Sequence, residues 1–111
     1  MFEELMDAAE RGELILLPNA ICHWHLRRDG QVTIREILVL PSSRGSGIGK
    51  LILEMLKEMN PKAKSIFAKC PVDLESNGWY KHMGFVLEGQ EKTRTGRELN
   101  LWRLPLNKNQ K

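Results

Sequence analysis

The seven residues Arg44-Gly45-Ser46-Gly47-Ile48-Gly49-Lys50 are the part of the chain best suited to holding an anion. Three glycines let backbone N–H groups turn toward a ligand, and Arg44 and Lys50 add full positive charges. Before this turn runs the apolar stretch Val32 to Leu40, and after it Ile48, Leu51, Ile52, Met55, Leu56 and Met59 recur at helical spacing. The turn therefore joins a strand to the start of a helix, whose partial positive charge favours phosphate. Spacing then separates the kinds of phosphate turn. A magnesium-dependent phosphate loop needs a glycine five residues before its Gly-Lys pair and a hydroxyl after it, where this chain has Arg44 and Leu51. A dinucleotide fingerprint would put its third glycine at Lys50.

Other residues carry chemistry less directly. Glu36 interrupts an otherwise apolar strand, so it must border a cleft or pair with a neighbour such as Arg35 or Arg97. His23 and His25 alternate about Trp24 and share one strand face, where they are candidates for a base or for metal ligands. No third ligand is identifiable, so an exposed sheet face is the expectation, with no metal. His82 reads as a surface residue. Cys22 and Cys70 lie in separate apolar strands without CxxC spacing, and read as small core residues.

These groups need a scaffold. Phe2 to Arg11 predicts a short helix with Phe2, Leu5, Met6 and Ala9 on one face. Strands follow at Glu13 to Leu17, Ala20 to Arg27 and Val32 to Leu40, the last two joined by the Arg28-Asp29-Gly30-Gln31 turn, and together they predict an antiparallel meander. Asn60-Pro61 ends the helix after the glycine turn, and Ser65 to Cys70 is expected to run parallel to Val32 to Leu40 through that helical crossover. Asp73 is placed to cap a helix reaching about Met83. Phe85 to Glu91 and Arg97 to Leu104 then form a closing antiparallel pair. The fold class is α/β: a mixed central sheet with one parallel pair and helices on both faces.

The 111 residues, 41% of them hydrophobic, predict a single domain, 1–111, with its core over about 13–106 and a frayed tail at 107–111. A formal charge of +3 with scattered basic residues indicates neither a nucleic-acid groove nor a membrane patch. Reduced cysteines without a secretory signal suggest a cytoplasmic protein, and short sheet edges make a homodimer an expectation.

Two segments carry a family resemblance. Arg44-Gly45-Ser46-Gly47-Ile48-Gly49, following Leu38-Val39-Leu40-Pro41, resembles the acetyl-CoA pyrophosphate loop of the GCN5-related N-acetyltransferases, the GNAT family. Asp73 to Phe85 is similar to that family's second signature, with Tyr80, Gly84 and Phe85 matching, Trp79 at the bulky position, Ser76 at the small one and Asp73 where Asn is usual. The match covers Glu13 to about Leu106. It implies acetyl-CoA as cosubstrate, held by backbone groups of Ile37, Leu38 and Val39, by Arg44 to Lys50, and near Asp73, Asn77 and Tyr80. It implies further that Tyr80 is the general acid and Glu36 the first candidate for the base, in direct transfer to a primary amine of a small molecule or a peptide or protein. The family's usual strand and helices ahead of the meander have only Met1 to Arg11 as counterpart. That leaves the acceptor half open or completed by a second subunit, and gives a second reading, a non-catalytic acyl-CoA-binding or regulatory module.

Overall fold

The structure is a computed structural model in which residues 2–106 are described; the tail at 107–111 lies outside them. Its order is α1 (Phe2–Glu10), β1 (Leu14–Leu17), β2 (Ala20–Leu26), β3 (Gln31–Val39), a 3₁₀ turn at Pro41–Ser43, α2 (Ile48–Met59), β4 (Ser65–Pro71), α3 (Ser76–His82), β5 (Val86–Lys92) and β6 (Glu98–Pro105). The six strands make one sheet in the order β1-β2-β3-β4-β6-β5. β3 and β4 are parallel, as the helical crossover requires, and the other neighbours are antiparallel.

The central feature for function is where the parallel pairing stops. β3 and β4 pair from Gln31↔Ser65 to Ile34↔Ala68 and no further. On its other edge β3 pairs Ile34 with Trp24 but Glu36 with His23, so Arg35 is an extra residue in a bulge. A bulge bends its strand, and here the bend coincides with the point where β3 leaves β4. Beyond it Glu36 to Val39 and Lys69 to Pro71 diverge, opening a gap in the sheet.

One face of the sheet carries the main core. Cys22, Trp24, Val32, Ile34, Ile66 and Ala68 meet Ile52, Leu53 and Leu56 of α2 and Tyr80 of α3. The buried face of α2 includes Leu53, whereas Leu51 and Met59, expected inside from their spacing, are nearly half exposed. On the opposite face α1 touches β1 and β2. It buries Ala8 completely and Leu5 in part, while Met6 is half exposed and Ala9 is exposed. The contact face of α1 is therefore one residue out of phase with the expectation from Met6 and Ala9, because the chain must turn at Gly12 directly into β1, which fixes how α1 lies on the sheet. Burying little more than one alanine contributes about 1 kcal/mol, so this helix is the lightest-held element.

Candidate active site

The glycine turn forms as the spacing predicts, between the end of β3 and the start of α2. Gly45 and Gly47 have φ of 83° and 89°, a region that L side chains rarely adopt. Gly47 stands at the helix N-cap, and no side chain caps α2. Its first-turn N–H groups are consequently left for an anion. The Ser46 hydroxyl donates to the Ser43 carbonyl and Arg44 Nε donates to the Val39 carbonyl at 3.1 Å, which ties the turn back to the strand. Lys50 is exposed at the helix start.

Gly49 has a different reason to be glycine. A Cβ on it would lie 2.7–2.9 Å from Nε1, Cζ2 and Cε2 of Trp79, whereas nothing lies within 4 Å of the equivalent position at Gly45 or Gly47. Sequence alone assigns all three glycines to the ligand turn; at Gly49 the structure shows close packing of α3 on α2 instead. Ile48 packs partly into the core from the same turn.

Of the three residues expected to offer backbone groups at the gap, two do so. Leu40 N–H donates to the Asn19 carbonyl at 2.9 Å, and Leu38 pairs with Ile21 in the same register. Backbone groups alternate direction along a strand, so Leu38 bonds toward β2 while Ile37 and Val39 turn theirs into the gap. The Val39 carbonyl that receives Arg44 is one of these.

α3 packs Tyr80 into the core near Cys22 of β2 and Cys70 of β4. Its ring is buried among Trp79, Phe85 and Trp102, with centroids 5.0, 5.1 and 6.2 Å away. The residue is 4% exposed, and its hydroxyl makes no hydrogen bond among the described residues. Burial, with smaller contributions from Cys70 and Cys22, pushes the phenol well above its ordinary value. Tyr80 therefore holds its proton at neutral pH. Cys22 and Cys70 are free and buried; burial raises the Cys22 thiol to about 12, and burial with the nearby Asp73 charge raises Cys70 against a smaller opposing effect of Arg97.

Two expectations on the second segment change. Asp73 does not cap α3, which starts three residues later at Ser76, with no side-chain cap at Glu75. Asp73 is largely exposed and lies 3.6 Å from Arg97, a partner brought by the β5–β6 hairpin. Asn77, expected at the cofactor, is committed to the fold instead. Its Nδ2 donates to the carbonyls of Pro71, Leu74 and Val72 at 2.8, 2.8 and 3.3 Å, and its Oδ1 accepts from Asn100 Nδ2 and Trp102 Nε1, both at 2.9 Å. An amide offers two donors and two lone pairs, so none remains for a ligand.

A cleft of about 560 Å³ lies on the α1 face, within the ordinary range for a small-ligand site. Glu4 and Asp7 of α1 with Arg11 just after it form one wall, His23 and His25 of β2 with Thr33 to Glu36 of β3 the floor, and Lys69 of β4 the far edge. Glu36 borders this cleft and is exposed, without an ion pair among the described residues; Arg97, one partner considered for it, is taken by Asp73. His23 and His25 are half-buried rather than part of an open sheet face. Glu13 Oε2 lies 2.8 Å from His25 Nδ1, and Arg11 Nε donates to Glu13 Oε1 at 3.0 Å. Burial opposes ionisation of Glu13, but the hydrogen bonds from Arg11 and His25 prevail and hold its carboxyl below the usual range. His82 is at the surface. Among the described residues no group of three or more His, Cys, Asp or Glu is arranged to hold a metal ion, and no helix is long and apolar enough to cross a membrane.

The chain matches the family model of an acetyltransferase (GNAT) domain over residues 4–87. A curated relative, an uncharacterised N-acetyltransferase of Schizosaccharomyces pombe, is 34% identical over 65 residues, 57% of this chain and 45% of the relative, so the match spans less than half of that protein. Among solved structures, Naa20 of Chaetomium thermophilum in complex with a bisubstrate analogue superposes with a TM-score of 0.83 at 15% identity, covering 98% of this chain and 75% of that one. A streptothricin acetyltransferase from Bacillus anthracis in complex with acetyl coenzyme A gives 0.71 at 17% identity, over 82% of this chain and 59% of that one. At these identities the structural likeness speaks to the fold.

Proposed function

This chain belongs to the GNAT acetyltransferase family, and we propose on that premise that it transfers an acetyl group from acetyl-CoA directly to a primary amine. The single observation that carries the reading is the coincidence of two devices at one gap, the uncapped glycine turn and the bulged strand with Ile37 and Val39 facing inward, with Tyr80 packed near Cys22 of β2 and Cys70 of β4. A solved neighbour of the same fold, the streptothricin acetyltransferase from Bacillus anthracis, is in complex with acetyl coenzyme A, which supports the same cosubstrate for this chain.

In this reading the pyrophosphate rests on the backbone of Gly45 to Lys50, with Arg44 and Lys50 balancing its charge. The pantetheine arm pairs with Ile37 and Val39 as an added strand. A backbone N–H at the gap meets the thioester oxygen, and a donor so placed contributes roughly 3 kcal/mol to the transition state. The amine enters from the α1 face, where the Glu36 carboxylate takes the proton that its ammonium must lose before the nitrogen attacks the thioester. As the C–S bond breaks, Tyr80 gives its proton to the thiolate and recovers one from the amide nitrogen. The acceptor is a small amine or the amine of a peptide or protein.

The reading is tested by following thiol release from acetyl-CoA over a panel of alkyl amines and peptides, with calorimetry for the cofactor alone. It predicts acetyl-CoA binding and amine-dependent thiol release. Binding of ATP with magnesium in place of acetyl-CoA would overturn it.

A further inference from the structure

Two stretches of the sheet break the alternation that a half-solvated strand should show. β1 reads Leu14-Ile15-Leu16-Leu17, and the end of β3 with the residue after it reads Ile37-Leu38-Val39-Leu40, apolar at every position. Ile15, Cys22 and Ile37 form one cross-strand row and turn to the core. The next row, Leu16, Ile21 and Leu38, faces the other way, toward the side on which α1 lies. α1 does not cover it: Leu16 is 71% and Leu38 51% exposed, with Leu40 at 47% beyond them. Aliphatic side chains abreast on three strands make a continuous apolar strip about 10 Å long, unlike the scattered exposure of an ordinary surface.

The strip adjoins both the gap and the cleft. Leu38 sits between Ile37 and Val39, whose backbone groups turn into the gap, and it is two residues along β3 from Glu36 on the same face, hence about 7 Å away. The row Leu14, His23 and Glu36 runs beside the strip and leads into the cleft on the α1 face. Of the charged groups around that cleft, Arg11 and His25 pair with Glu13 and Lys69 pairs with Glu91. Among the described residues this leaves the carboxylates of Glu4, Asp7 and Glu36 against Arg35 alone. The complementary occupant of this face brings a cation to the carboxylates and an apolar group to the strip.

We propose that Leu16, Ile21 and Leu38 select the acceptor: a primary amine carrying a large apolar group within about 7 Å of its nitrogen, as the α-amine of a peptide that begins with leucine or phenylalanine does. The assignment rests on the acetyl-transfer reading. With the ammonium at Glu36, the first side chain of such a peptide reaches Leu38 and the strip beyond it. Removing that surface from water favours binding in proportion to the apolar area covered. A serine in first place leaves the strip wet and gains nothing there. The strip meets the acceptor and not the cosubstrate, so its contribution appears in kcat/KM for the amine rather than in acetyl-CoA affinity.

The test measures kcat/KM for two peptides that differ only in their first residue, leucine or serine, in the wild type, in Leu38→Ser and in the double variant Leu16→Ser with Leu38→Ser. Both replaced side chains are at least half exposed, so the core is untouched. The wild type is expected to favour the leucine peptide by about 10-fold or more, and Leu38→Ser to lose part of that preference. The double variant should retain a preference of less than about 3-fold, by losing the leucine peptide and keeping the serine one, with acetyl-CoA affinity unchanged. Equal rates for the two peptides in the wild type, turnover of alkyl amines but of neither peptide, or a preference that survives in the double variant would overturn the assignment and leave acetyl transfer standing. So would a wild-type dimer, seen by light scattering, that the double variant converts to a monomer of unchanged peptide preference, since the strip then joins two copies. Wild-type protein that binds acetyl-CoA but releases no thiol with any amine would overturn the transfer reading, and this inference with it.

Discussion

The two sides of the gap are made of different material. The cofactor side consists of backbone: glycines that cannot obstruct, amides turned inward, and an aromatic cluster that fixes α3 against α2 through the contact of Trp79 with Gly49. The acceptor side consists of charged side chains on a helix that buries little beyond Ala8, joined to the sheet by the Arg11–Glu13–His25 chain. In the proposed reading a cosubstrate common to many reactions is held by groups that every residue possesses, while the side that would choose an acceptor is lined by groups that one substitution alters. The contrast also predicts unequal stability, with α1 opening long before the sheet around Tyr80.

The largest effect expected on the cofactor side is from Tyr80→Phe. Removing the proton donor should lower kcat about 100-fold, near 2.7 kcal/mol of barrier, with acetyl-CoA affinity nearly unchanged, as measured by thiol release and calorimetry. Retained kcat would show that the thiolate leaves unassisted and would remove α3 from the chemistry.

Asn77→Ala should act on stability. It frees the carbonyls of Pro71, Val72 and Leu74 and leaves Trp102 Nε1 and Asn100 without their acceptor, a loss of about 2–3 kcal/mol read by denaturant unfolding. A variant of wild-type stability that loses acetyl-CoA would return Asn77 to the cofactor.

Gly49→Ala sets two effects against each other. Alanine improves a helix interior by about 1 kcal/mol, but overpacking against Trp79 costs about 1–3 kcal/mol, so net destabilisation of up to about 2 kcal/mol is expected. Adding Trp79→Leu should restore part of it, and failure of that rescue would separate Gly49 from α3.

The smallest effect belongs to the acceptor side. Glu13 has its carboxyl held below its ordinary value of 4.5, so its contribution to stability is present above that pH and is lost as pH falls through the lower folded value. Glu13→Gln should therefore cost less than about 1 kcal/mol at neutral pH and nothing in strong acid, checked by melting temperature against pH. A difference that grows in acid would contradict the ion-pair account.

Much of this arrangement was legible in the sequence because it is local. The element order, the parallel pair and the glycine turn follow from spacing and turn residues within a few positions, and all three appear in the structure. The misreadings share a cause, which is that distant segments decide the outcome. Asp73 looks like a cap until Arg97 arrives from the β5–β6 hairpin, and Asn77 looks free until Asn100 and Trp102 arrive on β6. Gly49 looks like a phosphate glycine until Trp79 is packed over it. The half-burial of His23 and His25 depends on α1 crossing the sheet, which no pattern within β2 records. Leu38 was the one error open to correction from sequence, since alternation forbids three successive residues from facing one side.

The central claim is that acetyl-CoA is held by backbone at this gap, and amide hydrogen exchange tests it most directly. Adding acetyl-CoA should slow exchange at Ile37, Val39 and the amides of Gly45 to Lys50, while Leu38, already bonded toward β2, stays as it was. Binding that protects other segments and leaves these amides unchanged would contradict the account.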